Sequence, residues 1–544
     1  MVESQADSDK LWVRQAITKE ADMTFNTISM IQQKVKIDFD DLVATVTGPA
    51  GQQSSADQME RHLFKQLLQL GAELMQLYLD VRSQAYPRQE AVNQAGVVLP
   101  YHSERQRDYV SIFGKLALNR PYFYRKEVGG YSPLDAVLGL GADSYSDFLR
   151  ELHEELGVQV AFDKTVGLLG RLLDLHLSKR CLQAFIETDA ADVAAYYEQR
   201  PPPPVAEEAA ILVVQADGKG VPMVKASQSS QKVRLKRGEA RSRKKAVVVT
   251  SLYTIQPAPR TVDEVLATLV NEEKTATDQP KASRHQPQHK QLWGTLAGKS
   301  AALDRLQRQV AKRDGNHIQH RVMLCDGDKS LQEHLLARFA DFTLILDFIH
   351  AYEYLWQVAS ALYGQDHPDR LPWVQQQTRC LLNGQALALV ESLRQLAQAE
   401  GRSKSQQKIL TKVANYFERN QPYMDYATYL KAGWPIASGV IEGACRHFVK
   451  DRMELSGMRW SQNGAENLLH LRAVAENGDW DAYHRFRQQQ RQQRLYGCDW
   501  PPDVDLLTPR RLMVSSATTQ PSIGRNASST HVNQIDCARL PLAA

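Results

Sequence analysis

The stretch Ile211-Leu212-Val213-Val214-Gln215-Ala216-Asp217-Gly218-Lys219-Gly220-Val221-Pro222-Met223 decides the fold. Four apolar residues followed by a carboxylate and two glycines read as a buried strand that brings an acid to its carboxyl end, where ligands gather on mixed α/β sheets. Alone, the pattern serves equally for an Asp that caps the next element or closes a turn. Its meaning depends on whether other acids arrive in the same way. Arg321-Val322-Met323-Leu324-Cys325 is a second such strand and ends in Asp326-Gly327-Asp328; Phe342 to Leu346 is a third and ends in Asp347-Phe348-Ile349-His350.

The elements between these strands fix their order. A return strand is expected near Val221 to Val224, then a basic loop, then the β-prone run Ala246 to Ile255. Pro257 to His289 reads as a polar surface insertion, and helices are expected over Ala301–Lys312 and Lys329–Phe339. The order from 211 to 350 is strand, strand, strand, helix, strand, helix, strand, that of a ribonuclease-H-like domain. From Ala351 to about Leu430 apolar residues such as Leu389, Leu393 and Leu396 recur at helical spacing, so 351–432 is an all-helical insertion. Gly433 to Gly439 ends it, a helix from Val440 to about Arg452 follows, and 433–500 closes the catalytic core begun at 205–350.

Residues 1–100 read as a helical segment for packing or oligomerisation, with Leu63, Leu67, Leu70, Leu74 and Leu77 along one face of Met59–Val81. Tyr101 to Leu140 alternates and is aromatic, as short antiparallel strands are. Thr165 to Leu173 and a helix capped by Ser178 and opening with Lys179 and Arg180 have the pattern of a helix-turn-helix, or of a plain helical hairpin. The region 101–200 is therefore a small β region plus a helix-turn-helix-like DNA-binding region. Arg200-Pro201-Pro202-Pro203-Pro204 cannot continue a helix and marks a domain boundary, and the Ser-, Thr-, Pro- and Arg-rich tail 501–544 is expected to be disordered.

Composition excludes several classes. The 544 residues carry a formal charge of +4 and contain no apolar run of about 18 residues and no secretory signal, which argues against a membrane protein and for the cytoplasm. The six cysteines form no Cys-x-x-Cys pair, so no zinc module is expected. Neither a Gly-Lys-Ser/Thr phosphate loop nor a Gly-x-Ser-x-Gly elbow is present, so no nucleotide cofactor and no serine-esterase chemistry are expected. The charge is concentrated in Lys232, Arg234, Lys236, Arg237, Arg241, Arg243, Lys244 and Lys245, opposed by Glu239. Such a run is either a solvated loop or an anion-binding surface beside Asp217.

Cutting and joining a nucleic-acid backbone needs an activated water or hydroxyl and a stabilised leaving oxygen. Two Mg²⁺ ions about 4 Å apart supply both, held by a few carboxylates, and Mn²⁺ can substitute. Asp217 and Asp326 would be neighbours on adjacent strands, and Glu442 in the first turn of the Val440 helix would be the third metal ligand, with small Gly439, Gly443 and Ala444 allowing close approach. Arg446 and Lys450 follow Glu442 at i+4 and i+8, with Arg452 beyond, either as a phosphate-binding stripe or as partners of intrahelical ion pairs. Arg459 and Trp460 would grip phosphate and stack on a base, unless Trp460 is core. Asp347 and His350 either share a metal and orient a ligand, or are a capping Asp and its hydrogen-bonded His.

The set Gln215-Ala216-Asp217-Gly218-Lys219-Gly220, Cys325-Asp326-Gly327, Leu346 through Trp356, and Ala437 through Gly443 with Arg452 through Trp460 resembles the DDE transposases of bacterial insertion sequences, in particular the ISKra-like group. The resemblance covers about Tyr101 to Arg472 and includes Pro133-Leu134-Asp135. It implies a metal-binding triad on Asp217, Asp326 and Glu442 and an accessory acid-x-x-His motif on Asp347 and His350. Asp326 and Asp347 compete for the place of second acid, and fold order favours Asp326. Paired cysteines that many relatives carry near the amino-terminal strands are replaced by Tyr124-Arg125-Lys126-Glu127-Val128-Gly129-Gly130. The implied function is DNA strand cleavage and transfer at the ends of an insertion sequence, with double-stranded end and target DNA as partners and a homo-oligomer on DNA. The same triad would serve a nuclease that does not join strands, and a non-catalytic DNA-binding descendant is the alternative from another class.

Overall fold

A computed structural model of the chain describes residues 28–224, 244–269 and 285–501. Residues 28–47 are helical, and the helix Ala56–Ala85 opens on a capping box in which Ser55 and Gln58 satisfy each other's backbone N–H. Its Leu79 packs on a four-stranded antiparallel sheet of β1 (Glu90–Val92), β2 (Val98–Ser111), β3 (Gly114–Arg125) and β4 (Gly129–Tyr131). Alternation puts Leu116 and Leu118 of β3 on the face that packs with Leu79, while Phe123, of opposite parity, packs with Ala91 and Leu99. β2 and β3 run to 14 and 12 residues, longer than the short strands expected.

Ile211–Pro222 forms one uninterrupted strand, β5, that continues through Asp217 and both glycines. It pairs residue for residue with β6 (Lys244–Ile255), from Ile211↔Ile255 to Pro222↔Lys244. No separate return strand exists at Val221–Val224, because the flanking pairing keeps the Gly-Lys-Gly segment extended. The third strand, β7 (Gln288–Thr295), begins at the end of the segment read as a polar insertion and runs on into residues to which the sequence reading assigns no element. It is an edge strand whose first half is solvent-facing, which hides it from an apolar-run search. The same segment holds the helix Val262–Leu269, with Val265 buried. β8 (His320–Cys325) and β9 (Thr343–Leu346) complete a five-stranded sheet of order β7-β6-β5-β8-β9. β7, β6 and β5 are antiparallel; β5, β8 and β9 are parallel.

Helices cover both faces. Lys299–Arg313 and Lys329–Arg338 bury Leu303, Leu306, Leu331 and Leu335 against Leu212, Val214 and Met323. On the other face, Ile211, Val213, Val322, Leu324 and Ile345 share one apolar cluster with Phe348–Tyr363 and the helices Arg370–Leu382, Ala386–Gln398, Lys404–Asn420 and Tyr426–Lys431. Farther along that face, Val221, Val247 and Val249 pack with Leu182, Ile186, Tyr197, Phe448 and Leu468. The proline run at 201–204 therefore does not divide two cores, since residues on both sides of it share this cluster. The described residues up to Trp500 form one compact unit; of the other, Pro501–Ala544, only Pro501 is described. The expected disordered tail, and Lys232, Arg234, Lys236, Arg237, Arg241 and Arg243 of the basic loop, lie outside the described residues. No helix among the described residues is long and apolar enough to cross a membrane.

Candidate active site

The parallel pairing of three strands ends at one level of the sheet, while β5 itself runs on to Pro222. β5 pairs β8 up to Gln215↔Leu324, β8 pairs β9 up to Cys325↔Leu346, and Asp347 N donates to Cys325 O at 2.9 Å. Side chains alternate along a strand, so Asp217 shares a face with Val213 and Gln215, Asp326 with Val322 and Leu324, and Asp347 with Ile345. Adjacent strands are about 4.8 Å apart, which brings the three acids to one edge of one face.

The helix bearing Glu442 lies over that edge. It begins as an α-helix, Gly439–Ala444, widens to a π-helical turn, Cys445–Lys450, and ends with Asp451–Met453. Gln215, fully buried, fastens it to the sheet: its Oε1 accepts from Ile441 N at 3.0 Å and from Ser251 Oγ at 3.2 Å, while Nε2 donates to Tyr253 Oη at 3.2 Å. Cys445, three residues beyond Glu442, stands beside Asp217. Burial first, and then that carboxylate, push the Cys445 thiol up.

At the other end of the helix, Asp347 is fully buried and accepts from His350 Nδ1 (2.6 Å), Ser438 Oγ (2.7 Å), Ser438 N (3.1 Å) and Ile349 N (3.1 Å). Burial alone would raise its pKa; the hydrogen bonds from His350 and Ser438 outweigh it and hold the carboxyl below its ordinary value. The bond to Asp347 raises His350 to about 9 against the opposing effect of burial, and the charges of Asp326 and Glu442 add to the rise. Glu442 lies 3.2 Å from Ser438 Oγ and 3.6 Å from His350 Nδ1, its pKa raised by burial and then by the charge of Asp347. Ligand atoms of Asp347, His350 and Glu442 lie within 4.8 Å of one another. Asp217 and Asp326 stand outside that tight group.

This donor set fits hard cations. Its carboxylate oxygens are what Mg²⁺ prefers, and crowding that raises the Glu442 pKa is what a divalent cation relieves. Two ions about 4 Å apart with bonds of about 2.1 Å span about 8 Å between outer oxygens, so a triad need not form a 4.8 Å cluster.

The helical insertion braces the strand ends. Tyr416 Oη donates to Asp326 O at 2.9 Å, Arg419 to Gly327 O at 2.6 Å, and Tyr426 Oη to Leu346 O at 3.0 Å. Gly327 has φ +83°, and a Cβ there would sit 2.7 Å from Tyr416 Oη. Asp328 caps the next helix through Leu331 N and pairs with Lys299. Gln215, Ser438 and Tyr416 were not singled out from the sequence. A glutamine on the inward face of an apolar strand and a serine just before a glycine-led helix are the only local signals.

Lys179 and Arg180 are exposed in the first turn of the helix Lys179–Asp189, capped by Ser178. Its inner face, Leu182, Phe185 and Ile186, is buried against the preceding helices Asp147–Gln159 and Phe162–Leu173 and the sheet's own core. Lys244 pairs with Glu454, and Lys245 Nζ donates to Gln462 Oε1 at 3.0 Å. Arg446 and Lys450 are exposed, and Arg446 lies 3.8 Å from Asp451. Arg452 departs from the expected stripe: it is 1% exposed and donates to Gly157 O at 2.8 and 3.1 Å, because a position two residues beyond Lys450 falls on the opposite side of the helix. Arg459 is exposed; Trp460 is half-buried, with Nε1 donating to Met453 O at 2.9 Å.

No family model and no curated protein matches the chain. A solved structure described as the Drosophila P element transposase strand transfer complex aligns over 65% of this chain and 82% of that one, at 11% identity and a TM-score of 0.23. A likeness that slight carries nothing over.

Proposed function

We propose that the protein is a DDE-type transposase of the ISKra-like kind, cutting and joining DNA at the ends of an insertion sequence through Asp217, Asp326 and Glu442. The observation that carries the reading is the sheet: order 3-2-1-4-5 from β5 onward, three antiparallel strands followed by two parallel additions, with acids on three adjacent strands where their parallel pairing ends, beneath the helix of Glu442. Read as a ribonuclease-H-like core, that sheet has its helical insertion between the fifth strand and the helix of the third acid. Asp217 and Asp326 belong to neighbouring strands and Glu442 to the helix over their ends; these would hold the metal. Bound Mg²⁺, or Mn²⁺ in its place, would activate the attacking water or hydroxyl and stabilise the leaving oxygen. Asp347, saturated with hydrogen bonds, instead anchors His350 and Ser438, and through them the carboxylate of Glu442. Lys179, Arg180, Arg446, Lys450 and Arg459 would meet the phosphates of the end DNA, with an oligomer pairing two ends.

Asp217→Ala should abolish strand cleavage while leaving gel-shift binding to the DNA flanking the gene within about twofold. Cleavage at the wild-type rate by this variant rules the triad out. A joining assay with a cut end and a target duplex separates a transposase from a nuclease of the same fold, and binding without cleavage by the wild type would favour a non-catalytic DNA-binding protein.

A further inference from the structure

A cavity of about 320 Å³ lies between the helix Lys179–Asp189 and the turn that follows the Glu442 helix, at Gly457–Ser461. We infer that it receives one unpaired nucleotide of a bound DNA strand, with the base against Trp460 and Phe162 and the phosphate toward Lys179 and Arg459. This rests on DNA being the substrate, and it assigns to that substrate a local unpairing.

The two rings are held edge to face, centroids 6.0 Å apart, and Trp460 is fixed by its indole bond to Met453 and by its backbone pairing with the end of β5, Trp460 N to Pro222 O at 3.0 Å and Val224 N to Trp460 O at 2.8 Å. Arg452 stands over both rings, its guanidinium carbon 4.9 Å from the Phe162 centroid and 5.3 Å from that of Trp460. It is 1% exposed, lines the cavity, and makes no ion pair among the described residues; its remaining polar contact is to Met458 Sδ at 3.8 Å. Burial, and then the neighbouring Arg472, lower its pKa to about 9, as for a cation without a counter-anion. Three cations, Lys179, Arg452 and Arg459, face two acids, Asp163 and Glu187, so the lining is net positive yet can both accept from and donate to a base edge.

Size and place select the ligand. The volume is at the low end of small-molecule sites and cannot admit a paired duplex, so a base must leave the stack to enter. Met223, six residues beyond Asp217 on the same line of chain, bridges to Trp460. At about 3.3 Å per residue this is about 20 Å from the acids, or about six base steps of 3.4 Å. Stacking of an unpaired base on aromatic rings is sequence-tolerant, which suits a site serving both ends of an element.

The test uses the full chain and three fluorescein-labelled duplexes of about 30 base pairs in one salt condition: fully paired, with a single unpaired nucleotide, and with an abasic residue at that unpaired position. Fluorescence anisotropy should give the unpaired-nucleotide duplex a Kd about tenfold lower than the paired one, with the abasic duplex close to the paired. Gln183→Trp, which fills the cavity from an exposed helical position, should bring the ratio to about one, and Arg459→Ala should reduce it. Equal binding of all three duplexes by the wild type overturns the inference while leaving DNA binding intact. Equal affinity for the abasic and base-bearing forms also overturns it, because the gain would then come from a bendable backbone. No binding to any duplex overturns both this inference and the proposed function.

Discussion

Replacing His350 with Gln removes a charge while keeping a hydrogen-bonding side chain, and its effect on stability should depend on pH in one direction. The imidazole is raised in the folded chain to about 9 by its 2.6 Å bond to Asp347. An unfolded His titrates near 6.5, so the rise to about 9 corresponds to about 3.4 kcal/mol before solvent screening. His350 is 31% exposed, and solvent screening reduces the contribution to about 1–2 kcal/mol. A raised folded pKa favours the protonated form, so the contribution is complete below about 6.5 and is lost as pH climbs through about 9. Urea unfolding of wild type and His350→Gln, in chelator, should therefore differ by about 1–2 kcal/mol at pH 6 and by little at pH 9.5, with unchanged m-values. A difference that is constant with pH, or that grows toward alkaline pH, would refute the assignment of His350 as the cation that holds Asp347.

Two further substitutions test the supports of the site. Gln215→Leu removes the acceptor that ties Ile441 N–H to the sheet, that N–H keeping its bond to Ser438 O at 2.9 Å, and takes the Gln215 partner from buried Ser251 Oγ and Tyr253 Oη; it should cost about 1–3 kcal/mol in denaturant melts and slow cleavage more than it weakens DNA binding, because it frees the Glu442 helix from the sheet, and an equal loss in both assays would point to general unfolding instead. Gly327→Ala forces a side chain into a left-handed conformation against Tyr416 and Leu346 and should cost about 2–3 kcal/mol; unchanged thermal stability would mean that the insertion does not brace the Asp326 turn.

What the sequence discloses of the fold follows the strength of its periodicities. β8 and β9 stand out because parallel strands buried on both faces are continuous apolar runs. β5 is legible only to Asp217, since Gly218, Lys219 and Gly220 break the apolar run while the β6 partner keeps the backbone extended. β7 has no such run: its outer half faces solvent, and only Leu292 to Thr295 are buried. The sequence count of strands nevertheless comes out the same, because the supposed return strand and the overlooked edge strand offset each other. Agreement in a count is thus weaker than agreement in register.

The acids pose a different problem, because their relation is long-range. Asp217, Asp326 and Asp347 are recognisable as strand-terminal carboxylates, and Glu442 as an acid in a glycine-flanked first turn, but no local pattern says which carboxylates share a partner. The decisive contact is Ser438, which hydrogen-bonds Asp347 across 91 residues of sequence. That contact turns Asp347 toward structure: a carboxylate accepting four hydrogen bonds has little lone-pair capacity left for a metal, whereas Asp326, among the described residues, accepts at its side chain from Asp328 N alone, at 3.0 Å, and has its second oxygen available for one. On hydrogen-bond capacity alone, Asp326 is the better second ligand and Asp347 the residue that orients the third. Fold order favours the same choice on independent grounds, so a variant that exchanges the two roles, with Asp347→Asn retaining cleavage and Asp326→Asn losing it, is the outcome that both arguments require.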